Sequence, residues 1–126
     1  MPHYQSPAAV VQRQLDAYNA RDLDALLATY ASDARQYEHP GTLLAKGYDQ
    51  IRERLAARLQ EPNLHARLVQ RAVMGNIVID HEVVTRTFPE GTGTVEMVCI
   101  YEVREGVIRT VSAQVSNKQL DAAPTE

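Results

Sequence analysis

Turn signals cut the second half of the chain into four long β-branched segments, and these dictate what the first half must do. Residues 64–74, 77–88, 94–103 and 107–116 are rich in Val, Ile and Thr, side chains that suit a pleated, half-buried surface. Gly75-Asn76 joins the first two segments as a tight hairpin. "PEGTG" (89–93) separates the middle pair, and Arg104-Glu105-Gly106 joins the last two. Consecutive strands with short turns make an antiparallel meander. Strands this long twist and curl, so the sheet acquires a concave face that other elements must cover.

The first half supplies the cover. Ser6-Pro7 is a helix start, with an N-cap side chain followed by proline at the first helical position. Val11, Leu15 and Tyr18 then recur at spacings of four and three, the period of one helix face. "NARD" (19–22) interrupts, and Asp22 caps a second short helix whose inner residues are Leu23, Leu26, Leu27 and Tyr30. Residues 34–38 read as extended and 39–47 as a loop broken by Pro40 and Gly41. A third helix is expected from about Tyr48 to Gln60, with Ile51, Leu55 and Leu59 on one face and Pro62 beyond its end. Segregated elements of this kind predict an α+β fold: a cone-shaped, curved antiparallel sheet packed on three N-terminal helices. One domain is expected over 1–126, with an ordered core of about 6–116 and a frayed tail at 117–126. A cone has an inside, and ligand sites favour such concavities.

Composition narrows the partners. At 44% hydrophobic residues the 126-residue chain can bury a core. Its net charge is −3 and its 13 basic residues are dispersed, which argues against a nucleic-acid surface. No apolar run approaches the length of a membrane span, and "MPHYQSP" has no signal-peptide character. The single cysteine, Cys99, excludes an intrachain disulfide and suits a reducing, cytoplasmic setting. His3, His39, His65 and His81 lack metal-ligand spacing, and no glycine-rich phosphate loop is present. Neither a metal nor a cofactor is expected.

The stretch "DARQYEHPG" (33–41) places titratable groups at a strand end. If Ala34 faces inward, so do Gln36 and Glu38, while Arg35, Tyr37 and His39 face away. A carboxylate at the floor of an apolar cone is partly desolvated, which raises its pKa and makes it a better base near neutral pH. The plainer reading pairs Glu38 with an arginine at the sheet edge. In "DHEVVTR" (80–86), His81 and Glu82 point to opposite faces, and the period does not decide which looks inward. His81 inward would make an acid–base pair with Glu38. Glu82 inward would make a second buried carboxylate, needing Arg54, Arg86 or Arg109 as counter-charge. Tyr18 and Tyr30 have core spacing with a hydroxyl free for the rim, and Cys99 reads as a small buried apolar residue. Arg54 and Arg58, four residues apart and followed by Glu61, fit a solvated helix face, although Arg54 is also within reach of the cavity mouth. With Met97, Cys99 and Tyr101 inward, Val98 and Ile100 cover the outer sheet face, and isologous pairing into a homodimer is the simplest way to bury them.

The chain resembles the nuclear transport factor 2-like superfamily, in its ketosteroid isomerase and SnoaL-like polyketide cyclase branch. The resemblance spans roughly residues 8 to 116 and is carried by "YNARDLDALLATYASDARQYEHPG", "KGYDQI" and "YEVREGVIRTV". It implies a catalytic base at Glu38. The isomerases' oxyanion-binding Tyr and Asp positions fall on Gln14 and Cys99, so this chain lacks both usual donors. The implied activity is cofactor-free isomerisation, cyclisation or dehydration of an apolar carbonyl compound by proton transfer. Glu38, Tyr18 and His81 are its candidate catalytic residues, and Gln14, Tyr30, Arg54, Met97, Cys99 and Tyr101 its candidate ligand contacts. The same scaffold hosts enzymes, binding proteins and interaction modules, so a non-catalytic pocket for a small hydrophobic ligand and a protein-interaction module stand as alternatives.

Overall fold

Helix α1 (Pro7–Ala20) starts at its capping signal: the Ser6 hydroxyl accepts from the Ala9 amide at 3.2 Å, with Pro7 in the first turn. It ends at Arg21, whose left-handed backbone (φ 58°) terminates the helix where glycine is more usual. Asp22 caps α2 (Leu23–Leu27) through a bond from the Ala25 amide. These elements belong to a computed structural model that describes residues 3–121. The rest of the chain is β1 (Tyr30–Glu38), β2 (Thr42–Lys46), α3 (Gly47–Leu59), β3 (His65–Met74), β4 (Ile77–Phe88), β5 (Gly91–Arg104) and β6 (Val107–Leu120). No helix among the described residues is long and apolar enough to cross a membrane.

Six strands form one curved sheet in the order β2-β1-β6-β5-β4-β3. The expected meander of β3 to β6 is present and antiparallel throughout. Four expectations are corrected. The sheet is mixed, because β1 runs parallel to β6, with Arg35 opposite Thr110 and Gln36 opposite Val111. The segment 39–47 contains an edge strand: Pro40 and Gly41 form the turn of a hairpin, and Thr42–Lys46 pairs back on β1. The presumed tail from 117 is strand as far as Leu120, where Leu120 lies opposite Gly93 of β5. Residues 122–126, also assigned to that tail, lie outside the described residues. Tyr30, assigned above to the second helix, instead opens β1.

Helix α1 lies along β3 in the opposite direction and is fastened at both ends. Near its C-terminus the Asn19 side chain bonds the Ala66 backbone twice, donating to the carbonyl and accepting from the amide, both at 2.8 Å. Nearer its start, Gln12 accepts from Arg71 at 2.9 Å. Arg71 in turn grips Asp80 with two bonds, at 2.7 and 2.9 Å. A bulge at Val69 makes this possible. The register slips between Leu68 and Gln70, which puts Arg71 directly opposite Asp80 on the inner face. The Arg21 guanidinium then donates to the carbonyls of Leu59, Glu61, Pro62 and Leu64, tying the end of α1 to the turn that follows α3. Helix α3 packs on β1 and β2 through Ile51, Leu55 and Leu59. The two long helices thus stand on opposite sides of the concave face.

Asp80 is fully enclosed, so its charge depends on Arg71. Arg71→Met is expected to lower the unfolding free energy by about 3–5 kcal/mol by leaving a buried carboxylate uncompensated. Removing both charges with Arg71→Met and Asp80→Leu should recover most of that loss. Urea denaturation of the three proteins measures it.

Candidate functional site

Between α1, α3 and the inner sheet face lies a cavity of about 760 Å³. Strand alternation decides its lining. Along β4, Val78, Asp80, Glu82, Val84 and Arg86 face inward, while Ile79, His81, Val83 and Thr85 face outward. Along β5, Met97, Cys99 and Tyr101 face inward. Helix α1 adds Gln14, Leu15 and Tyr18, and α3 adds Arg54, Leu55 and Arg58. Gln14, Tyr30, Cys99, Tyr101 and Glu82 are buried, whereas Glu38, Leu44, Arg54 and Val115 are exposed. The cavity therefore deepens toward α1 and opens toward α3 and the end of β1.

Glu82 is the buried carboxyl of this cavity, with 5% of its surface exposed. Its oxygens accept no hydrogen bond from the described residues. Burial first, and the Asp80 charge second, push its pKa from an ordinary 4.5 to about 7, against an opposing pull from Arg71. The thiol and the phenols around it are held neutral. Burial raises the pKa of Tyr18 to about 12, and moves Tyr30, Tyr101 and Cys99 further upward. Cys99 is accordingly a packed thiol and not a nucleophile. Tyr101 donates to the Gln14 carbonyl oxygen at 3.3 Å, which leaves the NH₂ of this cavity-lining amide free to donate. Neutral Tyr18 and Gln14 are thus hydrogen-bond donors on the wall facing Glu82.

Of the candidates named from sequence, Glu38, Tyr18, Gln14, Tyr30, Arg54, Met97, Cys99 and Tyr101 all line the cavity. Glu38 does so at the mouth and not at the floor, because β1 ends there and the side chain is exposed; Tyr37, expected to face away, also lines the cavity, where the pairing of β1 with β2 shifts between Gln36 and Tyr37. Arg54 donates to Gln36 at 3.3 Å beside it. His81 is absent from the cavity. It lies on the outer face, bonded to Glu96 at 2.8 Å, and Asn117 holds the other Glu96 oxygen. The parity of β4 puts Glu82 inside in its place. Arg58 and Arg86 also line the cavity, and neither was singled out from sequence as a ligand contact.

The SnoaL-like domain family matches residues 11–111. No curated protein matches the chain in sequence. Among solved structures, an uncharacterised cystatin-fold protein from Novosphingobium aromaticivorans is similar with a TM-score of 0.80 at 24% identity, covering 87% of this chain and 98% of that one. A protein of Sinorhizobium meliloti, provisionally named a polyketide cyclase, is similar at 0.72 and 25% identity, covering 84% and 94%. A protein from Catenulispora acidiphila with a ketosteroid isomerase-like fold, solved with trimethylamine, is similar at 0.74 and 20% identity, covering 89% and 88%. The family match spans residues 11–111, most of the mixed curved sheet and the helices that close it over the cavity, and makes this chain a member of the SnoaL-like domain family.

Proposed function

We propose that the protein is a cofactor-free proton-transfer enzyme acting on an apolar carbonyl compound, with Glu82 as its acid–base group. The observation that carries this reading is a buried, unpartnered carboxyl with a pKa of about 7 facing an accessible cavity. Such a group is part ionised at neutral pH, which is where a general base works best. In its ionised form Glu82 takes a proton from carbon next to the carbonyl. The developing negative charge moves to the carbonyl oxygen, which Tyr18 and the Gln14 amide stabilise by hydrogen bonding. The protonated Glu82 then returns the proton at a second carbon, completing an isomerisation, or the enolate carbon attacks a second carbonyl of the same molecule, whose oxygen takes the electron pair and then the proton from Glu82, completing an aldol cyclisation. Glu38, at the mouth, is too solvated to share this task and contributes to the rim. The protein named as a polyketide cyclase has the same fold, which is consistent with the cyclisation branch. The reading includes a homodimer through the outer sheet face. There Ile79 and Val98 are exposed, and His39, Val98, Ile100 and Ser112 line a shallow hollow.

Two outcomes test the assignment. Deuterium exchange into a β,γ-unsaturated ketone should be catalysed by the natural protein, with kcat/KM rising as pH passes through about 7. Glu82→Gln should lower it by roughly 10²- to 10⁴-fold, and Glu38→Gln by less than about tenfold. Ligand binding without exchange in any of the three would instead leave a binding pocket. Stability should move the opposite way with pH. Because Glu82 is a stronger proton binder folded than unfolded, the folded state holds the extra proton between pH 4.5 and about 7. Unfolding free energy should therefore fall as pH rises through that window, by on the order of 3 kcal/mol at about 1.4 kcal/mol per pH unit. Glu82→Gln should flatten the profile, measured by urea denaturation from pH 4 to 9.

A further inference from the structure

Three arginines line the cavity, and they are not equally committed to partners. Arg54 is bonded to Gln36. Arg58 meets only Glu61, at 3.7 Å, and Glu61 also accepts from the Thr87 amide. Arg86 forms no ion pair among the described residues, and its Nε is enclosed without any hydrogen-bond partner. Burial, followed by the Arg58 charge, lowers the Arg86 pKa against a smaller opposing pull from Tyr18 and Glu61, so the two cations crowd the same space. A half-buried guanidinium with an empty Nε and a second guanidinium nearby are the components of an anion site. An unpaired cation inside a protein is unfavourable unless something completes it.

We propose that the substrate carries a carboxylate, which seats on Arg86 and Arg58 while an apolar body extends inward toward Cys99, Tyr30 and Tyr101. This rests on the reading of the cavity as a substrate site and names the class of molecule that enters. Arg86 and Glu82 sit four residues apart on one face of β4, so their Cα atoms are about 13 Å apart. A rigid apolar framework fits between a charged end held at Arg86 and a reacting carbon at Glu82. A carboxylate suits the fork of Arg86 because its two oxygens match two parallel N–H donors. The charged end stays on the more open side, where Arg58 keeps 39% of its side chain exposed, and the apolar end takes the enclosed side.

Calorimetric titration with 2-naphthoate and with the uncharged, near-isosteric 2-naphthamide tests this directly. The natural protein should bind the acid at least about tenfold more tightly than the amide, since one charge-assisted contact is worth about that factor. Arg86→Gln should reduce the preference to less than about threefold, and Arg58→Gln should reduce it part of the way. Glu82→Gln should keep the preference although it loses proton transfer. Equal binding of the two compounds, preference for the amide, no binding of either, or an unchanged preference in both arginine variants would overturn the proposal. Because the readout is binding alone, a retained acid preference beside absent turnover would leave this assignment standing and remove only the catalytic one.

Discussion

Helix α1 is held along β3 by polar bonds at its two ends, and the cavity exists because of where those bonds are. Asn19 spends both ends of its amide on the Ala66 backbone, and Gln12 reaches Arg71, which is committed to Asp80. Between these fastenings, Gln14 and Tyr18 look across open space instead of into a packed wall. Apolar contacts are non-directional and would draw the helix down until the space closed. Directional bonds at the ends fix its height. Arg21 extends the same arrangement to the second long helix, through four carbonyls around the turn that follows α3.

That spacing governs the electrostatics. Burial raises the pKa of every acid in the deep part of the cavity, whether thiol, phenol or carboxyl. Guanidinium groups resist the same pressure because their intrinsic pKa is so high. Near neutral pH the interior consequently holds neutral phenols and a neutral thiol around a part-ionised Glu82, with fixed positive charge along its more open side. Glu82 is the one member of the deep set brought near the working pH, and Asp80 below it contributes to that by like-charge repulsion.

Sequence was informative wherever a local period decided the matter. The spacing of Val11, Leu15 and Tyr18 oriented α1, and the alternation of Met97, Cys99 and Tyr101 oriented β5. It was silent where both faces of a strand carry mixed chemistry. In β4 an apolar residue and a charged one stand on each side, Val78 with Asp80 and Ile79 with His81, so composition alone could not choose Glu82 over His81. The deciding feature is the register with β5, which sets Glu82 opposite inward-facing Met97 and His81 opposite Val98, and a pairing of that kind leaves no local mark. Glu38 shows a different limit. Its direction was legible, but its depth depended on where β1 stops relative to the sheet. The β2 strand was hidden because Pro40 and Gly41 make a hairpin turn as readily as they break a strand. The parallel joint of β1 with β6 joins residues too far apart in sequence for any window to reveal.

That joint also has a consequence for how the chain acquires its hollow. Tyr30, Gln36 and Glu38 on one wall face Glu82, Cys99 and Tyr101 on another, and β6 is the seam between the two groups. Helices and hairpins form from neighbours and form early, whereas a pairing between strands so distant in sequence must wait for a large loop to close. On a ribosome, every wall of the chamber is synthesised before the strand that unites them. The nascent chain is thus a set of parts with no interior, and nothing can lodge there until β6 emerges and slots in beside β1.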